Sequence, residues 1–350
     1  MANILQTHFP MIRERQELID YIASRQDLKL IYDGWREERQ KEFLDFCSGV
    51  SGMKLTYDGF FKEIMNPEIH PERLADFLSC ILGEGPVKIL RVIPNDSSRI
   101  ADESSLVIMD IVVELEDGQI VNAEIQKHGY KFPGQRSACY SADLLLRQYK
   151  RIRDEKGSSF FNYKDIKTVY TIVLFEKSTE LFHEYPSHYI HKSMQQTDTG
   201  LEIDLLQKYI FIPLDIFKGK LYVKGIENKL DAWLSFLACD DPVIIAKLIA
   251  EYPEFKKLYE DAYYICQNVE RVMNMFSEEL RILDRNTVQL MIDEQQAEID
   301  RKDELINSFV KVFVKDCMER GDSQEVMVSR LCDMYDMTTD EAEKYVKGIK

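Results

Sequence analysis

The stretch SLVIMDIVVELEDGQIVNAEIQ, Ser105 to Gln126, decides the fold. It reads as two β-strands, Ser105–Leu115 and Gln119–Gln126, joined at Glu116-Asp117-Gly118. Side chains alternate along a strand, so odd and even positions point to opposite faces. One face carries Met109, Ile111, Val113, Leu115, Val121, Ala123 and Ile125, all apolar, and must pack into a core. The other carries Asp110, Glu114, Asn122, Glu124 and Gln126, mixed with Ile108, Val112 and Ile120.

Register decides whether Asp110 and Glu124 meet. A two-residue turn at Asp117-Gly118 sets Asp110 against Ile125, with the two acids on opposite faces. A three-residue loop with Gly118 in the left-handed bulge position sets Asp110 opposite Glu124. Only the second register puts all seven apolar residues on one face, so the sequence predicts it. Two adjoining carboxylates repel unless a proton or a cation lies between them. Oxygen ligands with an open position suit a hard divalent ion such as magnesium. A pair of solvent-facing acids on an ordinary hairpin fits the same pattern.

The 350 residues are enough for one large or two modest domains with a real core. There is no run of about 18 apolar residues and no signal-peptide pattern. The seven cysteines are scattered and form no CxxC, which points to reduced thiols in a cytoplasmic setting and to no zinc site. A net charge of −16 argues against nonspecific nucleic-acid binding over the whole surface. The sign reverses locally: from Lys127 to Lys156 eight bases (Lys127, Lys131, Arg136, Arg147, Lys150, Arg151, Arg153, Lys156) face three acids. That run fits a local phosphate-binding surface beside the hairpin, or a solvated basic helix face.

Before the hairpin the pattern is helical: Arg13–Ser24, Leu28–Phe46, a helical region from Leu55 to Met65, and a helix from Pro71 to Leu82 ended by glycines. Val87–Ile93 is a strand. After the hairpin come a loop from Gly129 to Gly134, a helix over about 135–155 and a buried strand, Lys167–Phe175. The order gives an α/β layer with helices packed on a mixed sheet. Short strands are expected at Phe182–Tyr185, His188–Met194, Glu202–Leu205 and Tyr209–Pro213. From Asn228 the period is helical, with a very polar stretch at 293–304 and a closing helix pair at Glu325–Leu331 and Thr338–Val346. The expected divisions are 1–50, 51–226, 227–320 and 321–350.

An aspartate in a strand, a hairpin, Glu-x-Gln within NAEIQ and a helix bearing QRSACYSADLL together resemble the PD-(D/E)XK nuclease superfamily. The pattern is most similar to its nuclease family transposases, or recombination-promoting nucleases. Asp58-Gly59-Phe60-Phe61-Lys62 and Asp231-Ala232-Trp233-Leu234-Ser235-Phe236-Leu237 support this, over roughly residues 50–240. The resemblance implies a restriction-endonuclease-like core with N-terminal helices and a helical C-terminal extension. It implies a magnesium-dependent endonuclease, with manganese as an alternative ion, acting on DNA in recombination or mobile-element activity.

Carried over, Asp110 and Glu124 are the motif's acids, and they would hold the metal with the Ile125 carbonyl. Gln126 stands where lysine is usual, so weaker or more metal-dependent catalysis is expected. Lys127 alternates to the core-side face and is a poor substitute. Gln135, Arg136, Tyr140 and Arg147 on the following helix are candidates for phosphate contact, although Tyr140 could simply pack the helix on the sheet. Asp58 and Lys62, spaced i, i+4, fit either the site or a plain helix ion pair. His183, His188 and His191 are a weaker metal candidate. The competing function is a binding or assembly module on a degenerate nuclease scaffold, self-associating through its acidic helical C-terminal third. A glycosidase is disfavoured, because paired acids on a hairpin lie closer than the roughly 5 Å such chemistry needs.

Overall fold

A computed structural model describes residues 3–83, 85–93, 111–128, 133–157, 159–193, 195–335 and 337–348. Asp110 and Ile108, together with the rest of 94–110, lie outside the described residues, as do Lys131 and Met194.

Helices α1 (Ile4–His8), α2 (Arg15–Ser24), α3 (Gln26–Asp33), α4 (Glu37–Cys47), α5 (Asp58–Ile64) and α6 (Pro71–Leu82) precede the sheet. The single helix expected over Leu28–Phe46 is broken between α3 and α4. Arg36 is extended, and Gln40 Nε2 donates to the Tyr32 and Trp35 carbonyls that the break exposes, at 2.9 and 3.1 Å. Helix α6 begins on Pro71 and ends at Gly83 in the left-handed conformation, as its sequence predicts.

The described strands form a six-stranded mixed sheet in the order β1-β2-β3-β4-β6-β5. They are β1 (Ile89–Val92), β2 (Ile111–Leu115), β3 (Ile120–His128), β4 (Val169–Lys177), β5 (His191–Ser193) and β6 (Gln207–Pro213). Strands β2 and β3 are antiparallel, and β3, β4 and β6 run parallel. Helix α7 (Pro133–Lys156) makes the crossover from β3 to β4, starting on a proline rather than at Gln135.

The hairpin register is the one the apolar stripe requires: Ile111 pairs with Ala123, Val112 with Asn122, Val113 with Val121 and Glu114 with Ile120. Gly118 has φ 86° and its N–H donates to the Leu115 carbonyl, closing the three-residue loop. Both faces of the hairpin are covered. Ile111, Val113, Leu115 and Val121 join the main core, while Val112 and Ile120 pack with Tyr140 and Leu144 of α7 and Val169 of β4.

Three expected strands change. Phe182–Tyr185 is not a strand: Glu180–His183 forms a helical turn, α8, with Phe182 buried against Phe175 while Tyr185 is 54% exposed. One apolar anchor suits a helical turn better than a strand face. Glu202–Leu205 is not a strand either. Leu201, Ile203 and Leu205 are all at least half exposed, so no layer covers the alternating face that suggested one. Of His188–Met194, the described strand is His191–Ser193.

After β6 come α9 (Leu214–Lys224), α10 (Lys229–Ala238), α11 (Pro242–Glu251), α12 (Glu254–Cys266) and α13 (Val269–Glu319); the polar 293–304 stretch lies within α13. Then follow α14 (Gln324–Tyr335) and α15 (Thr339–Gly348). The chain divides into two compact units, 1–287 and 288–350. In the first, the main core runs from Leu5 to Phe276 on one face of the sheet, and smaller clusters under α7 and around Phe175 and Phe182 cover the other. In the second, Val310, Val314 and Cys317 pack with Met327, Leu331, Ala342 and Val346. Among the described residues, no helix is long and apolar enough to cross a membrane.

Candidate active site

Even-numbered side chains of β3 point at α7, so Asn122, Glu124 and Gln126 lie between sheet and helix. They are 0%, 3% and 4% exposed. Gln126 Nε2 donates to Glu124 Oε1 at 3.0 Å, and Arg136 Nη2 stands 3.6 Å from the same oxygen. The Arg136 guanidinium lies 5.3 Å from the centre of the buried Tyr140 ring. Burial pushes the Glu124 carboxyl above the ordinary carboxylate range, and Arg136 and Gln126 offset part of that rise.

Glu124 Oε2 and Gln126 Oε1 are buried and have no hydrogen-bond partner among the described residues. A buried carboxylate oxygen left this way is costly. Both atoms are hard oxygen donors, the kind a divalent cation such as magnesium takes. Among the described residues, no group of three or more His, Cys, Asp or Glu side chains is placed to hold a metal. The described register runs up to Ile111 opposite Ala123, the pair next to the Asp110–Glu124 position.

Of the other candidates, Ile125 is half-buried against the main core. Gln135 is exposed at the start of α7. Arg147 Nη2 lies 2.8 Å from Asp143 one turn back. Asp58 and Lys62 form the i, i+4 ion pair at 2.7 Å. The three histidines do not cluster: His183 contacts Asp215 and Ser178, and His191 contacts the His188 carbonyl.

The basic run is largely engaged inside the chain. Glu114, 7% exposed, takes a 2.7 Å bond from Arg91 and two bonds from Arg151, which clamps β1, β2 and α7 together. Lys156 pairs with Asp165. Lys127, 5% exposed, is on the opposite face from Gln126, as alternation requires. It donates to the Thr56 carbonyl, lies 3.2 Å from Glu176 and 3.1 Å from Glu279, and stands over the Tyr57 ring. Burial works against the Glu176 charge, but Lys127 and Lys54 outweigh it and hold its carboxyl low; burial leaves the Glu279 carboxyl raised.

Sequence reading missed the Glu279 and Glu176 partners, since neither lies in a motif. It also missed Thr171, buried opposite Asn122 on β4, whose hydroxyl and the Asn122 amide have no partners among the described residues. A lone threonine inside the apolar run of β4 was the available signal. Asp231, in the downstream motif, is fully buried and bonded by Lys220 at 2.7 Å and Tyr189 at 2.6 Å, an internal structural tie.

A family model described as PD-(D/E)XK nuclease family transposase matches residues 55–290. No curated protein and no solved structure matches the chain.

Proposed function

Because the chain belongs to the PD-(D/E)XK nuclease family transposases, we propose that it is a magnesium-dependent DNA endonuclease hydrolysing phosphodiester bonds, serving recombination or a mobile element. The observation that carries the proposal is the buried Glu124–Gln126–Arg136 constellation, with one Glu124 oxygen unmatched among the described residues. Asp110, Glu124 and the Ile125 carbonyl would hold magnesium, or manganese in its place. When bound, the ion would supply positive charge beside the scissile phosphate and acidify a water.

The chain's own groups do the rest. Gln126 orients the attacking water by a hydrogen bond without adding charge. Arg136 contacts the phosphate and, from the Glu124 side, limits the cost of keeping that acid ionised. Tyr140 supports the guanidinium through its ring face. Gln135, Arg147, Asp58 and Lys62 are assigned to DNA contact at the margins.

The test is nicking of supercoiled plasmid with magnesium or manganese by wild type, Asp110→Ala and Glu124→Ala. Each substitution is expected to lower cleavage at least 100-fold; equal cleavage by all three removes the assignment.

A second reading, a weakly catalytic scaffold acting in assembly, draws on Lys127. The lysine nearest the motif is committed to Glu176 and Glu279. Self-association through the C-terminal third is supported by Ile292, Ile299 and Ile306 of α13, recurring every seven residues and each at least 40% exposed. The seven free thiols support a cytoplasmic setting.

A further inference from the structure

At the C-terminal end of α7 the chain exposes aromatic rings among cations. Gly157, at φ 75°, turns the chain out of the helix, and the Phe160 and Phe161 amides bond back to its carbonyl. Asn162 then caps a short helical turn at Tyr163–Asp165 from both sides. Phe160 to Asp165 are therefore tied by local hydrogen bonds to Gly157 and to one another.

Phe161 meets Tyr149 and Tyr163 edge to face, with ring centres 5.3 and 5.2 Å apart. Tyr149 and Tyr163 lie nearly parallel, 15° apart. Yet Tyr163 is 73% exposed and Phe160 is 82% exposed. Water around a bare phenyl ring on an ordered loop is unfavourable, so these rings point to an absent partner.

The chemistry around them selects that partner. Residues 149–168 hold six bases and three acids in a chain whose net charge is −16. Arg151 and Lys156 are paired internally. Arg153 lies over the Tyr149 ring, and Lys164 and Lys167 are exposed beside Tyr163. Tyr163, Lys164 and Lys167 also line an open surface cavity of about 610 Å³, whose acids Asp117 and Asp204 bond to neighbouring residues of their own loops. Exposed π faces interleaved with cations suit unstacked bases on a phosphate backbone, because every base offers a ring face and every linkage a negative charge.

We propose that Tyr149, Phe160, Phe161 and Tyr163 form a stacking platform for single-stranded DNA, with Lys164 and Lys167 meeting its phosphates. The polymer class follows from the cleavage reading above. The platform itself is a separate surface: Tyr149, its residue on α7, is about 20 Å from Arg136 along the helix axis. A strand held there would be anchored several nucleotides from the carboxylates.

The test measures binding alone. A fluorescein-labelled dT20 oligonucleotide is titrated with the full chain in EDTA at low salt and followed by anisotropy, with a duplex of equal length alongside. Phe160→Ala/Tyr163→Ala is expected to weaken single-strand binding about 10- to 100-fold and duplex binding by much less. Phe160→Trp/Tyr163→Phe is expected to keep binding within about threefold, with indole fluorescence quenched as bases stack. Lys164→Ala and Lys167→Ala should each reduce the salt slope by about 1.

No binding of dT20 by the wild type, or equal binding by the double alanine variant, overturns the proposal. So does sedimentation showing that the rings are needed for self-association and not for DNA. Since EDTA suppresses cleavage, a chain that binds but does not cut sinks only the nuclease assignment. One that cuts but binds unchanged without the rings sinks only the platform.

Discussion

Lys127 Nζ lies 3.1 Å from Glu279 Oε1, so the strand that carries Glu124 is fastened to a helix far downstream in the chain. Glu279 also accepts the Asp58 amide at 2.8 Å, at the start of α5. The residues that follow the sheet thus complete the back of the candidate site. Replacing Lys127 by Met takes the cation away from the buried Glu279 and from the half-buried Glu176. That should destabilise the first unit by about 3–5 kcal/mol in urea unfolding. Glu279→Gln keeps an acceptor for the Asp58 amide and should cost clearly less.

Metal affinity should fall unusually early on acidification. The Glu124 carboxyl is raised by burial, so it gains its proton at a higher pH than an ordinary carboxylate, and a protonated acid binds no cation. The same direction governs stability. A folded-state pKa above the unfolded value favours the fold below the unfolded pKa, and that contribution is lost as pH rises through the folded one. Manganese titrations by calorimetry over a pH series should show affinity declining at a higher pH than an ordinary carboxylate site would. Arg136→Gln should move the decline to still higher pH, because the guanidinium opposes the rise.

Gln126→Lys tests what the uncharged amide costs. A lysine there would place a cation next to Glu124 Oε1, the oxygen that Gln126 now meets at 3.0 Å. Cleavage at limiting magnesium is expected to rise about tenfold, and the Glu124 carboxyl to ionise at lower pH. Unchanged plasmid nicking by a folded variant would show that charge at this position does not limit the reaction.

Gly118→Ala addresses the register. A Cβ at φ 86° is strained and would also meet the Lys167 side chain at 3.1 Å. A loss of about 1–2 kcal/mol is expected in thermal unfolding. Replacing the whole loop by Asn-Gly would impose the two-residue turn, and should be far more damaging than the single substitution.

The register was legible because seven apolar residues and one glycine agree on it. So were the placement of Lys127 on the far face and the glycine stop of α6, since each follows from local periodicity or backbone conformation. The eight-base run was legible only as composition. Whether Arg151 meets a phosphate or Glu114 depends on two strands and a helix converging, which no local pattern encodes. The expected strands at 182–185 and 202–205 failed for the opposite reason. At 182–185 only Phe182 packs, against Phe175, while Tyr185 stays exposed; at 202–205 the alternation is real, but Ile203 and Leu205 stay at least half exposed. Asp110 itself lies outside the described residues, so its partner across the hairpin is inferred from the pairs that follow it.

Strand β3 lies inside the sheet, paired to β2 on one side and along most of its length to β4 on the other. Its amides can trade hydrogen for deuterium only when a neighbouring strand leaves. Protection at Glu124 and Gln126 should therefore report the breathing of the whole layer, and a cation that slows exchange there would be tightening the sheet from its centre outward.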